Sequence, residues 1–167
     1  MVSPITWLPL AATEPPPGLI LTAERQIPTA GGAVFHAVKR TSAGFTGFGE
    51  AYFSIVDAGS LRDWKRHSRM TLNLVVPVGR IAFLLAKRDG VSWGSFHYVV
   101  LGPENYARLT VSPHWFMTFA GLGPRPSVLM NVADMVHDPD EAERLDAGAG
   151  PRVPTLELLM GRGPVQS

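Results

Sequence analysis

Arg62, Asp63, Lys65, Arg66, His67 and Arg69 form the densest cluster of chemically capable side chains in the sequence. Arginine's planar fork bonds phosphate oxygens bidentately. A histidine moves protons near neutral pH, and a lysine whose pKa is lowered by burial or by neighbouring cations can serve as a base. The cluster therefore reads as an anion-binding and acid–base site, with Lys65 and His67 as candidates to move protons and the arginines as candidates to hold the anion. On an extended backbone alternate residues share a face. Asp63, Lys65, His67 and Arg69 then point one way, and Arg62, Trp64, Arg66 and Ser68 the other. The plainer alternative is a solvated edge strand whose charges block pairing with other chains.

Other chemistries find less support. His36, His67, His97, His114 and His137 are scattered. A metal-binding cupin shows two His two residues apart followed by a Glu, whereas here Lys65 and His67 hold that spacing and no Glu follows. No metal and no cofactor are expected. With no Cys there is no thiol nucleophile, disulfide or Cys-ligated zinc. No G-x-S-x-G, P-loop or dinucleotide fingerprint is present. Asn73 lies inside an apolar run, and Asn131 and Asp134 near the end of another. A polar residue in such a strand needs a partner, either a structural hydrogen bond or a ligand. Most aromatic residues, Trp64, Trp93, Phe96, Tyr98, Tyr106, Trp115, Phe116 and Phe119 among them, read as core.

The elements that must position these residues are short and β-rich. Strands are expected at 19–23, 33–39, 50–55, 66–78, 80–87, 93–101, 107–111, 115–121 and 127–133, separated by Gly and Pro turns. Asp89-Gly90 is a hairpin signal. Asp138-Pro139-Asp140-Glu141 has an N-cap candidate, Pro at the first helical position and acids in the first turn, so a short helix starts there. The pattern predicts an all-β fold, a double-sheet jelly roll with a pocket between its sheets and a short C-terminal helix; an up-and-down barrel is the nearest competitor. Residues 1–18 read as a proline-rich arm, 19–146 as the domain and 147–167 as a tail. Trp7 and Leu8 of the arm are candidates to pack on a partner subunit, and 155–160 to form a helical turn or two.

Bulk properties agree. At 167 residues the chain suits one domain with a substantial core. Apolar residues make up 46% and charged residues 17%, which argues against disorder throughout. A formal charge of +1 supports neither nucleic acid nor a membrane surface as a partner. No apolar run has the length of a transmembrane helix, and the N-terminus lacks the basic start of a signal peptide. A cytoplasmic protein is expected.

The order Phe48-Gly49-Glu50, Leu61-Arg62-Asp63-Trp64, Val75 to Arg80, then Gly102-Pro103-Glu104-Asn105-Tyr106 with Leu109, Val111 and Pro113 resembles the dTDP-4-dehydrorhamnose 3,5-epimerase family. So does Val132-Ala133-Asp134 followed by Asp138-Pro139-Asp140-Glu141. The likeness spans 34–144. It implies a homodimeric RmlC-like cupin without metal that binds a nucleotide sugar between its sheets. It also implies an isomerase or epimerase that abstracts a proton next to the ketone of a 4-keto-6-deoxy sugar, with a His base, an acidic partner and a Tyr across the sugar. Carried over by position, Arg62 is the phosphate contact, and Phe48 and Glu50 contact the nucleotide. The base falls on Lys65, or on His67 with a shift of two. A second pocket His falls on Met117 and the Tyr on Met130. Asn73 or Asn131 would orient the sugar. Two alternatives remain: a related cupin that isomerises or cyclises a more apolar carbonyl compound in a Met-lined pocket, and a non-catalytic binding module.

Overall fold

The computed structural model describes residues 15–146 and Gly150, together with the backbone of Ile5–Trp7. The strands are β1 Ile5–Trp7, β2 Leu19–Ala23, β3 Gln26–Thr29, β4 Gly32–Phe35, β5 Glu50–Val56, β6 Trp64–His67, β7 Leu72–Val78, β8 Arg80–Asp89, β9 Ser92–Leu101, β10 Ala107–Val111, β11 Phe116–Leu122, β12 Ser127–Ala133 and β13 Ala142–Leu145. One sheet has the order β1-β9-β8-β11-β6-β13, the other β2-β10-β7-β12-β5, and β3-β4 forms a separate hairpin. All pairings are antiparallel except β1 with β9. The expected jelly roll is the observed architecture.

The long apolar run of 72–85 supplies both sheets. In β8, Ile81, Phe83 and Leu85 face inward to a core shared with Leu72, Leu74, Val76, Leu109, Val111 and Leu129. Ala82, Leu84 and Ala86 face outward into a second cluster with Trp64, Phe96, Tyr98 and Phe116. Burial on both faces explains why β8 reads as continuous rather than alternating apolar sequence. At about 25 cal/mol per Å2 of apolar surface, such burial is the main stabilising contribution to a fold with so little helix.

Three expectations change. The stretch 66–78 is not one strand: β6 belongs to the six-stranded sheet and β7 to the five-stranded one, with Ser68 to Thr71 crossing between them. The basic β6 is also not an edge strand, because it lies between β11 and β13. The acidic helix is a single 3-10 turn, Pro139–Glu141, capped by Asp138, whose side chain accepts from the Asp140 N–H at 3.0 Å. The chain then extends into β13, because pairing with β6 satisfies its backbone where further helix could not. The arm includes the short strand β1; its Trp7 and Leu8 side chains and the 155–160 segment lie outside the described residues.

Candidate functional site

A cavity of about 440 Å3 opens between the sheets, in the size range of small-molecule sites. β6, β11 and β13 form one wall, with Lys65, His67, Met117, Phe119 and Arg144. Opposite them, β5, β7, β10 and β12 contribute Tyr52, Ser54, Leu72, Leu74, Val111, Leu129 and Asn131. Arg62 and Asp63 stand at the approach to β6, and Met70 on the crossover. The period of two places Lys65 and His67 inside, while Trp64 enters the outer cluster and Arg66 lies over the Phe116 ring at 4.9 Å.

His67 Nδ1 is 2.5 Å from Glu141 Oε2, and both side chains are buried. The other oxygen, Glu141 Oε1, accepts the backbone N–H groups of Arg69 and Met70, each at 2.8 Å. Ser68 donates from its backbone N–H and its hydroxyl to the Glu141 carbonyl, both at 3.0 Å. The carboxylate thus seals the crossover from β6 to β7, where the strand ladder has stopped and the donors would otherwise be orphaned. On the far side, the His114 N–H donates to the His67 carbonyl at 2.7 Å, from a residue held at φ 73°. That left-handed conformation is costly for a residue with a Cβ and reflects the tight turn into β11.

The electrostatics of the dyad are well defined. Burial would raise the Glu141 pKa, but the hydrogen bonds from His67 and from the Arg69 and Met70 backbone outweigh it and bring it down to about 2. Glu141 is therefore an acceptor-only carboxylate, and His67 must carry its proton on Nδ1. Burial lowers the His67 pKa; Glu141 works against that shift and Lys65 with it. His67 is then a neutral imidazole whose Nε2 lone pair is free of the dyad, which is the form a general base needs. Lys65 is also lowered, first by burial and then by Arg144, with Glu141 and Glu50 opposing.

Asn131 is 3% exposed. Its Nδ2 donates to Tyr52 Oη at 2.8 Å across the β12–β5 pair, while its Oδ1 is buried and finds no partner among the described residues. Arg62, Lys65 and Arg144 give the cavity a cationic side.

Lys65, His67, Arg62, Met117 and Asn131 are thus brought together around one cavity. Asn73 is not part of it: alternation that turns Leu72 and Leu74 inward turns Asn73 to the opposite face of β7. There Asn73 Oδ1 accepts from Arg108 Nη1 at 2.7 Å and from the Thr110 hydroxyl at 2.8 Å. Arg108, fully buried, also bonds Glu24 at 2.9 Å and the Ala43 carbonyl at 3.0 Å. The network ties the 36–49 loop to the sheet. Phe48 and Glu50 stand outside the cavity wall. Phe48 precedes β5 and is 67% exposed, and Glu50 reaches the site only through its charge on Lys65. Met130 faces away from the cavity, its neighbour Asn131 facing in. Glu141, Tyr52, Ser54 and Arg144 were not singled out from the sequence as site residues. Tyr52 and Ser54 share one signal, the alternation of 50–55.

The chain is 39% identical to a dTDP sugar isomerase from Desulfovibrio desulfuricans, with a TM-score of 0.75 over 80% of this chain and 87% of that one. It belongs to the dTDP-sugar isomerase and epimerase family of RmlC-like cupins. Two solved structures of lower identity share the fold. RmlC from Legionella pneumophila, a dTDP-6-deoxy-D-glucose-3,5-epimerase in complex with dTDP-4-keto-L-rhamnose, matches at 15% identity and TM-score 0.66, over 77% of this chain and 72% of that one. QdtA from Thermoanaerobacterium thermosaccharolyticum, a sugar 3,4-ketoisomerase in complex with TDP, matches at 15% identity and TM-score 0.63, over 78% and 90%. No protein-family model and no curated protein matches the chain.

Proposed function

We propose that the protein is an isomerase acting on a nucleotide-linked 4-keto-6-deoxy sugar, removing a proton from the carbon next to the ketone. The observation that carries this reading is the His67–Glu141 dyad opening onto a cationic cavity. A ketone acidifies its neighbouring C–H, and abstraction forms an enolate that needs a base on one side and a donor at the oxygen. His67 Nε2 takes the proton, and Glu141 holds the tautomer and stabilises the imidazolium that results. Tyr52, on the opposite sheet, has its oxygen held by Asn131 and its own hydrogen available to the enolate oxygen. It does what Met130 cannot. Arg62, with Lys65 and Arg144, neutralises the diphosphate. The exposed Phe48 ring is offered to the base, and Glu50 tunes Lys65.

The relatives named for dTDP sugars and 4-keto sugars support the substrate class. The exposed Phe53 and Ile55 of β5, an edge strand of its sheet among the described residues, support a homodimer. Sedimentation should then give about twice the 18.1 kDa chain mass. The direct test of function is incubation with a dTDP-4-keto-6-deoxy sugar in deuterium oxide. Deuterium at a carbon next to the ketone is expected; binding without exchange would contradict the reading.

A further inference from the structure

The Tyr52–Asn131 pair carries information about the ligand that the dyad does not. Asn131 gives one of the two hydrogens of its Nδ2 to the Tyr52 oxygen, 2.8 Å away. Tyr52 therefore keeps its own O–H for something in the cavity, and Asn131 keeps its carboxamide oxygen. That oxygen is buried, on a 3% exposed residue of the cavity wall, and among the described residues no group donates to it. A buried acceptor without a donor is costly, and native structures rarely leave one unmade. The pair presents a donor and an acceptor side by side, so the ligand groups that answer them must be a neighbouring acceptor and donor.

We infer that Asn131 is a specificity-determining residue, whose Oδ1 accepts the hydrogen of a hydroxyl on the carbon next to the ketone that Tyr52 addresses. The site then reads an α-hydroxy ketone rather than a lone carbonyl. This inference rests on the functional reading above and narrows it. In a 4-keto-6-deoxy pyranose the carbon on one side of the ketone bears a hydroxyl, C3, and the one on the other side bears the ring oxygen and the methyl group. The hydroxyl recognised is therefore the one on C3. A substrate without it leaves Asn131 Oδ1 buried and unpaired in the complex, which a site built to hydrogen-bond discriminates against strongly.

The test is calorimetric binding, which does not depend on turnover. Wild-type protein is titrated with a dTDP-4-keto-6-deoxyhexose, its 3-deoxy analogue and its 2-deoxy analogue. The 3-deoxy analogue should bind about 10- to 100-fold more weakly than the parent, and the 2-deoxy analogue within a few fold of it. Asn131→Leu should erase the difference between parent and 3-deoxy analogue, whereas Asn131→Asp, which keeps an acceptor oxygen, should retain it. Equal binding of parent and 3-deoxy analogue to the wild type overturns the inference while leaving the functional reading intact. A parent sugar that does not bind overturns both. Since the wild-type comparison needs no variant, misfolding of Asn131→Leu does not remove the test.

Discussion

Glu141 touches His67 Nδ1 at 2.5 Å with one oxygen and the backbone N–H groups of Arg69 and Met70 with the other. One carboxylate therefore fixes both the His67 imidazole and the crossover between sheets. Under the proposed function, this double duty couples stability to the protonation of the base.

Acid should unfold the protein through that pair. The Glu141 pKa is lowered to about 2 from 4.5, so its contribution is complete above pH 4.5 and is lost as pH falls toward 2. It amounts to about 3 kcal/mol in order of magnitude. His67 is also lowered, from 6.5, so the unfolded chain takes up its proton first and stability already declines as pH falls below 6.5. Urea denaturation at pH 7, 5 and 3 should show a falling midpoint. In Glu141→Gln the decline below pH 4.5 should flatten.

The acidic limb of the pH–rate profile should move in opposite directions in two variants. Glu141 raises the His67 pKa and Lys65 lowers it. Glu141→Gln should therefore shift the limb of kcat/KM to lower pH, and Lys65→Met to higher pH. Shifts of the same sign in both would show that the limb does not report His67.

Tyr52→Phe should lose turnover by about 10²- to 10⁴-fold, the usual range for a positioned proton donor. Binding of the nucleotide diphosphate alone should remain within a few fold, because Arg62, Lys65 and Arg144 are untouched. Steady-state kinetics and calorimetry separate the two.

Asn73→Ala should reduce stability by about 1–3 kcal/mol, because Arg108 and Thr110 lose a buried acceptor. Its acidic limb should stay where the wild type has it, since the network lies on the far side of β7 from the cavity. Thermal denaturation and a pH profile check both statements.

Much of the fold is legible in local pattern. Ala107–Val111 and Ser127–Ala133 are strands at the expected bounds, because their apolar runs end in Pro, Ser and Gly turns. The inward direction of Lys65 and His67 follows from period two alone. What local pattern cannot supply is contact between distant segments. Glu141 lies 74 residues from His67 and stands among acids that suit a helix start, so nothing nearby distinguishes it. Ala142–Leu145 becomes a strand only through β6. Asn73 and Asn131 look alike as polar residues in apolar strands, and only the stacking of two sheets turns one to a structural network and the other to the cavity. Tyr52 in place of Met130 is likewise a matter of register, set by Asn131 pairing with Tyr52.

The proposed function has His67 remove a proton next to a sugar ketone. Its most direct test is mass-spectrometric solvent exchange on a dTDP-4-keto-6-deoxy sugar in deuterium oxide, run with wild type and His67→Asn, with binding of both measured in parallel. Deuterium incorporation is expected in the wild type, with a loss of at least about 10²-fold in the bound but inactive variant. Undiminished exchange in His67→Asn, or none in a wild type that binds the sugar, would contradict it.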